Sequence, residues 1–183
     1  MLKQVQHDEI PKSKSPKVKK SKCQKVPKSQ SQKVPKSKSQ NNQTKHTMNK
    51  REQYKLQNEQ FLEEIRKEEG VRELGNGVLY KVLESGDGHK RTRVHNESIV
   101  TVRYKGALVN GKVFDDAFER NYPESFRVYE LIGGFQMALL NMHIGDRWMV
   151  YIPSDMGYGN RNVGEIPANS TLIFEILLIA AAG

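Results

Sequence analysis

The chain has 183 residues, and its 30 Lys and Arg against 21 Asp and Glu give a formal net charge of +9. That charge is uneven, because residues 1–50 hold 14 Lys against two acids and carry +12, whereas residues 51–183 carry −3. The larger, mildly acidic part therefore excludes a basic nucleic-acid-binding domain, although a basic arm is still open. The single cysteine, Cys23, excludes an internal disulfide framework and a multi-cysteine metal site.

Targeting and ligand signals are also few. No apolar run approaches the ~18 residues of a membrane-spanning helix, and the N-terminal residues have no apolar segment that could serve as a signal peptide. We therefore expect a cytoplasmic protein. The five histidines do not have the spacing of metal ligands, so we expect no metal site.

Residues 1–47 are mostly Lys, Ser, Gln and Pro, and a Lys-Val-Pro-Lys-Ser unit occurs at 25–29 and again at 33–37. Such a composition buries too little apolar surface to offset the entropy of ordering, which predicts a disordered basic tail. The alternative is weak, salt-dependent association with nucleic acid or the ribosome through the lysines. A second hypothesis is that translation begins at Met48 and the tract is an upstream extension.

Residues 48–70 have a different character, dominated by Glu, Lys, Gln and Leu. The apolar side chains of Phe61, Leu62 and Ile65 recur at i, i+1 and i+4, which predicts a helix with a narrow apolar stripe. Gly70 is the expected C-terminal cap. This lead-in helix either docks on the domain that follows or pairs with a second copy.

From residue 75 onward the hydrophobic period becomes two, which predicts β-strands. Asn110-Gly111 indicates a hairpin, and one amphipathic helix is expected at 134–142. Residues 71–183 are therefore predicted to form an α+β domain, in which an antiparallel sheet folds over one short helix. The expected strands are 78–83, 98–108, 113–114, 126–128, 147–152 and 170–180.

No conventional catalytic pattern is present. Serines occur without a Gly-x-Ser-x-Gly context, and the glycine-rich pieces match neither a P-loop nor a dinucleotide-binding loop. Asp115 and Asp116 are adjacent and not spaced, and on a strand their side chains would diverge, so no carboxylate dyad is implied. Hydrolase, kinase and dehydrogenase chemistry have no support. From periodicity alone the phenylalanines and Trp148 are core residues.

An ordered series of motifs nevertheless resembles the FK506-binding-protein class of peptidyl-prolyl cis–trans isomerases. The stretch 100–115 resembles the opening signature of that class, and 126–145, 151–159 and 166–175 follow in the same order. The resemblance covers residues 97–180. Residues 58–82 further resemble the lead-in helix and first strand of the bacterial macrophage-infectivity-potentiator-like branch.

The resemblance implies a half-barrel of antiparallel strands wrapped on one short helix, with an apolar cleft that accepts a prolyl ring. In the family, the Tyr158 hydroxyl and the Ile132 backbone N–H would donate hydrogen bonds to ligand carbonyls. The implied catalytic residues are Tyr104, Phe114, Asp115, Phe135, Tyr158 and Phe174. The implied substrate-binding residues are Phe126, Val128, Leu131, Ile132 and Ile166.

The implied function is isomerisation of X-Pro bonds in unfolded or partly folded proteins, without a cofactor, by a monomer or a dimer. Binding of macrolide inhibitors of the tacrolimus and rapamycin class is a further expectation. The sequence departs from the family pattern at Phe135, where Trp is usual, and at Glu165 and Ala168. A non-catalytic peptide-binding or chaperone module on the same fold is therefore the alternative interpretation.

Overall fold

The computed structural model describes residues 48–86, 93–120 and 122–183, and the predicted tail at 1–47 lies outside them. The described residues form two α-helices, neither of which has the length and apolarity to cross a membrane. The helices are α1 (Lys50–Ile65) and α2 (Gly133–Asn141). The strands are β1 (Val71–Gly75), β2 (Val78–Glu84), β3 (Ile99–Leu108), β4 (Val113–Asp116), β5 (Glu124–Arg127), β6 (Arg147–Ile152) and β7 (Leu172–Ala182).

All of these strands belong to one antiparallel sheet in the order β1-β2-β6-β7-β3-β4, with β5 paired to the remaining part of β3. The longest pairing joins β3 to β7. The order runs between two different edge strands, so the sheet is open and forms half of a barrel. The α+β prediction is confirmed, and each predicted strand has a counterpart. The bounds differ at two of them, because β5 ends at Arg127 before a 3-10 turn that holds Val128, and β7 begins at Leu172 instead of residue 170.

The concave face of the sheet carries the main core. Side chains alternate between faces along a strand, and every second residue of β3 is buried. Val100 and Val102 of β3, which have no exposed surface, belong to the same cluster as Phe135, Ala138 and Leu139 of α2. The sheet therefore wraps around α2, as the alternation and the helical spacing together predict.

Helix α1 begins at a capping box, in which Asn49 Oδ1 accepts from the Glu52 N–H at 2.9 Å and Glu52 accepts from the Asn49 N–H. It ends at Ile65, earlier than predicted, and Gly70, with φ +81°, lies in the turn that enters β1 instead of capping the helix. Strand β1 is missed by the sequence analysis, because exposed Arg72 and the bulge near its end hide the alternation of a five-residue strand.

The apolar stripe of α1 docks on the convex face of its own sheet. Leu62 and Ile65 are buried against Leu79 of β2 and Tyr151 of β6, with Phe61 packed beside them. The first of the two alternatives for the lead-in helix is therefore confirmed. Docking covers Leu62 and Ile65, which would otherwise form the centre of a self-association surface.

Polar groups also fasten α1 to the residues that precede β7. The buried Asn58 accepts a 2.7 Å hydrogen bond from the Thr171 N–H and donates to the Tyr54 carbonyl. The Tyr54 and Ser170 hydroxyls share a hydrogen bond of 2.8 Å. We call this set, Tyr54, Asn58, Ser170 and Thr171, the polar strap.

Candidate active site

An aromatic cleft of about 280 Å³ opens on the concave face, beside the start of α2 and the loop between β6 and β7. This volume lies just below the roughly 300–1,000 Å³ of small-molecule sites, which suits one ring and its flanking amides. The cleft is lined by Tyr104, Phe114, Asp115, Phe126, Glu130, Leu131, Ile132, Phe135, Tyr158 and Phe174.

The floor of the cleft is a set of interlocked rings. Phe135 of α2 and Phe174 of β7 meet edge to face with centroids 5.1 Å apart. Tyr104 of β3 meets the edge of Phe135 at 5.9 Å, and Phe114 of β4 meets Phe174 at 5.7 Å. Edge-to-face pairs at these separations are favourable. Each ring therefore contacts at least one other, and the floor is a packed aromatic surface.

Gly106 of β3 makes the approach of two of these rings feasible. A Cβ at this position would lie 2.6 Å from the Phe114 ring and 2.8 Å from the Phe174 ring. Neither separation is compatible with a real carbon atom, so any other residue would push the rings apart. The glycine in the predicted β3 strand thus shapes the cleft wall.

A charged network supports the edge of the floor. The Tyr104 hydroxyl donates to Asp115 Oδ2 at 2.5 Å, and Arg120 Nη2 lies 2.9 Å from Asp115 and 2.7 Å from Glu124. Burial and the hydrogen bond to Asp115 raise the pKa of Tyr104 well above its usual value. Tyr104 therefore stays neutral, with its hydroxyl engaged by Asp115 and its ring fixed in the floor.

Two residues of the cleft lining have hydrogen-bond donors for which the described residues supply no acceptor. The Tyr158 side chain lines the cleft, and its hydroxyl has no hydrogen-bond partner among the described residues. Ile132 is the N-cap residue of α2, where backbone N–H groups lack intrahelical acceptors. Within the described part of the chain no acceptor is found for the Ile132 N–H. Both groups can therefore donate to a bound ligand.

The structure brings nine of the eleven predicted site residues to the cleft lining. The exceptions are Val128 and Ile166. Val128 has no exposed surface, because it lies in the short 3-10 turn after β5 and packs into the main core. Ile166 is 6% exposed and packs into the same core, beside its backbone bridge to Val163. Both residues support the lining from behind.

Three charged residues of the site were missed by the sequence analysis. Glu130 lines the cleft, although its position in a turn is typical of an ordinary exposed acid. Arg120 and Glu124 complete the network around Asp115. Their i, i+4 spacing was visible in the sequence, but that segment is not a helix, so the spacing alone carried no signal.

The chemistry open to this cleft is binding and desolvation. Its described charged lining residues are the two acids Asp115 and Glu130. Across residues 48–86, 93–120 and 122–183, no three His, Cys, Asp or Glu side chains lie close enough to hold a metal ion. The arrangement suits an apolar ring whose neighbouring carbonyls need donors.

Comparison with known proteins identifies two family matches. Residues 90–179 match the family described as FKBP-type peptidyl-prolyl cis-trans isomerase. Residues 4–82 match the family described as the domain amino terminal to FKBP-type peptidyl-prolyl isomerase. The second match includes most of the tract before Met48, α1 and β1.

Curated relatives carry isomerase names. The chain is 40% identical over 121 residues to the peptidyl-prolyl cis-trans isomerase Mip of Coxiella burnetii, covering 66% of this chain and 51% of the relative. It is 37% identical over 120 residues to the FKBP-type isomerase FkpA of Escherichia coli K12, covering 66% of this chain and 43% of the relative. The chain thus spans about half the length of the curated relatives it matches.

Two solved structures are also similar to this chain. A peptidyl-prolyl cis-trans isomerase from Pseudomonas syringae pv. tomato matches with a TM-score of 0.67 and 35% identity, covering 75% of this chain and 99% of that one. FkpA from Escherichia coli matches with a TM-score of 0.66 and 34% identity, covering 70% of this chain and 59% of that one.

Proposed function

Because the chain belongs to the FKBP-type peptidyl-prolyl cis-trans isomerase family, we propose that it accelerates rotation about X-Pro bonds in the aromatic cleft. The observation that carries this proposal is the ring-lined floor under two unengaged donors, Tyr158 and Ile132. Family membership makes Pro-containing proteins the substrate class.

The reaction needs no covalent step. The peptide amide is planar, and rotation out of that plane costs roughly 18–20 kcal/mol because the resonance is lost. For X-Pro the two isomers differ by only about 0.5–1 kcal/mol. A catalyst must therefore bind the twisted amide more tightly than either planar form.

Desolvation supplies part of that preference. A planar amide has a strongly polar carbonyl that loses its water partners on entering an apolar site, which costs free energy. Twisting reduces resonance and leaves a less polar carbonyl that tolerates the same site. The prolyl ring would rest on Phe135 and Phe174, the two rings that pack at 5.1 Å, and the amide would lie in the dry space above them.

The two donors would hold the chain on either side of the rotating bond. The Tyr158 hydroxyl and the Ile132 N–H stand on different elements, the loop before β7 and the start of α2. Fixing the flanking carbonyls lowers the entropic cost of reaching the twisted geometry. Tyr104 has a different role, because its hydroxyl already donates to Asp115 and its contribution is the fixed ring.

The alternative of a non-catalytic peptide-binding module rests on Phe135. This residue is 4% exposed and stands where the family usually has Trp, so the floor offers less aromatic area. Its edge-to-face contacts with Tyr104 and Phe174 keep the floor closed in spite of the smaller ring. That packing favours catalysis over binding alone.

The test is NMR exchange spectroscopy on a short X-Pro peptide with the full chain. We expect acceleration that falls on Phe135→Ala and more modestly on Tyr158→Phe, while Leu140→Ala, on the exposed side of α2, leaves it unchanged. Peptide binding by a folded parent without acceleration would instead establish the non-catalytic module, and Phe135→Trp would then be expected to restore exchange.

Two finer statements stand as proposals. The apolar cleft with the Tyr158 and Ile132 donors supports binding of macrolides of the tacrolimus and rapamycin class. Trp148 fluorescence would not report this binding, because Trp148 stacks on Tyr80 and does not line the cleft. Chemical shifts of the Ile132 N–H are the suitable readout. We propose a monomer, since α1 docks on its own sheet, and analytical ultracentrifugation tests this.

The cytoplasmic prediction rests on the sequence analysis, and it is not supported by one relative, which is 38% identical over 132 residues and is named Outer membrane protein MIP of Legionella longbeachae. We keep the cytoplasmic assignment as a proposal, and fractionation of source cells with an antibody to residues 48–183 tests it. Intact mass of the same material tests the start at Met48.

A further inference from the structure

We propose that Glu130 is a specificity-determining residue of the aromatic cleft, and that it selects X-Pro segments with a Lys or Arg beside the proline. The inference rests on the proposed function of the cleft and adds the charge of the preferred substrate. Glu130 lines the cleft and is exposed, so its carboxylate is available to a bound chain.

The carboxylates at the cleft are not equivalent. Asp115 accepts from the Tyr104 hydroxyl, and Arg120 Nη2 lies 2.9 Å from Asp115 and 2.7 Å from Glu124. These two acids therefore already have a cation between them. Glu130 lines the same cleft, and no Lys or Arg of the described ranges forms an ion pair with it. The three carboxylates have one guanidinium among them, which leaves an excess of negative charge.

The backbone on both sides of Glu130 is fastened to α2. Glu130 is the last residue of the 3-10 turn that follows β5. The side-chain amide of Gln136, in α2, donates to the Leu131 carbonyl at 2.6 Å and to the Tyr129 carbonyl at 3.3 Å. These are the residues directly after and directly before Glu130. The acid is therefore attached at a defined place on the cleft wall, although its side chain is exposed.

That place lies close to one of the two donors of the cleft. Ile132 follows Glu130 by two residues, which span at most about 7 Å, and its N–H is available to a substrate carbonyl. A chain held by this N–H would bring the side chains beside its proline close to Glu130. Lys carries its ammonium on a flexible four-carbon stem, and such a stem can lie along apolar surface while the charge stays in water.

The size and the kinetic form of the selection follow from the position of the charge. A cation beside the proline is attracted and an acid at the same place is repelled, so both contribute to the preference. Exposed ion pairs change an equilibrium by roughly 1.5- to 5-fold. The charge does not lie on the rotating bond, so it stabilises the planar and twisted amides alike. The preference should therefore appear in KM and leave kcat similar among peptides.

The test measures isomerisation by the full chain of short peptides that carry Lys, acetyl-lysine or Glu directly before or directly after the proline. Acetyl-lysine keeps the stem and removes the charge, so it is the neutral reference. At about 20 mM salt we expect kcat/KM for Lys to exceed that for acetyl-lysine about two- to fivefold in at least one placement, with Glu below both. At about 300 mM salt the difference should shrink, because the charges are screened.

Three variants assign the preference to one residue. Glu130→Gln should bring the three peptides together, and Glu130→Lys should reverse their order. Glu119→Gln is the matched control, because it makes the same change in net charge at an exposed acid outside the cleft lining, and it should keep the order of the parent. An order that survives Glu130→Gln, or that Glu119→Gln removes equally, overturns the inference.

Peptide binding separates this inference from the proposed function. Titration of the same peptides, followed by the Ile132 N–H resonance, gives a Kd without any need for catalysis. A Kd that is lowest for Lys and highest for Glu, in an order that Glu130→Gln removes, supports the inference even if no peptide is isomerised. An active parent that treats the three peptides alike overturns it and leaves the proposed function in place. A chain that binds none of them overturns both.

Discussion

The two faces of the sheet are built from the same alternating strands and have opposite uses. The concave face buries a continuous core around α2 and still leaves a cleft lined by rings. On the convex face, Leu79 and Tyr151 pack against Leu62 and Ile65 of α1. The rings of the floor contact one another edge to face, so the concave face has a packed cleft floor beside its core.

The faces are not independent, because the polar strap connects them. Ser170 and Thr171 end the loop between β6 and β7, and the same loop carries Tyr158. Helix α1 therefore contacts the segment that supplies one of the two donors of the cleft. The predictions that follow measure how far the two faces can be separated.

The largest effect is expected for Phe174→Ala, which removes the ring that contacts Tyr104, Phe114 and Phe135. Loss of a buried Phe costs about 3–5 kcal/mol, and the floor of the cleft is lost with it. Urea denaturation and peptide exchange should both show large losses. A variant with the same urea midpoint of unfolding as the parent would contradict the assignment of this ring to the floor.

Leu62→Ala breaks the convex cluster instead and should separate stability from activity. The side chain is 9% exposed, so we expect a loss near the lower end of the ~2–5 kcal/mol range of such substitutions. Because Leu62 does not touch the cleft, the isomerisation rate of the folded protein should be unchanged. A proportionate fall in the rate at temperatures where the variant stays folded would show that the two faces are more tightly coupled.

Asn58→Ala tests the polar strap. It leaves the buried Thr171 N–H without its acceptor, which costs about 1–3 kcal/mol. The loop that carries Tyr158 should loosen, so KM for a peptide should rise more than kcat falls. Asn49→Ala is the matched control on the same helix, because losing the cap costs ~1 kcal/mol without contact with the loop. Equal kinetics for the two variants would confine the strap to a structural role.

The smallest expected effect is the contribution of Tyr104 to the loss of stability at alkaline pH. Its folded-state pKa is raised by burial and by the hydrogen bond to Asp115, so the unfolded chain ionises first, at about pH 10. The stabilisation is therefore present below about pH 10 and is lost as pH rises from there towards the folded-state pKa. Tyr104→Phe should lower stability at pH 7 and flatten the decline above pH 10 in urea titrations; an unchanged alkaline decline would assign it to other groups.

Much of the fold could be predicted from the sequence where the pattern is local. The β3 to β4 hairpin, α2 and β6 follow from periodicity and turn residues within a few positions. The aromatic lining followed from a family resemblance, since periodicity alone assigns Phe135 and Phe174 to the core, and both are in fact almost fully buried. Such residues serve as core and as cleft floor at once, a distinction that no sequence period contains.

The features that the sequence analysis missed share a different cause. The early end of α1 and the presence of β1 depend on pairing with β2, which competes with continued helix. Arg120 pairs with Asp115 and Glu124 across the irregular segment between β4 and β5, where no regular spacing predicts the contact. Glu130 reaches the cleft from the short 3-10 turn after β5. Val128 turned inward because a 3-10 turn follows β5 directly, so the strand alternation stops one residue earlier than the pattern suggests.

The sequence by itself determined which residues share a face, where the hairpin turns and that the charge is segregated between residues 1–50 and 51–183. These properties are local or compositional, and they hold in any fold with these strands. Only the tertiary structure decided which apolar residues border open space, that Gly106 admits two rings, and that α1 contacts the loop between β6 and β7. Those properties depend on distances between elements far apart in the chain, and packing alone sets such distances.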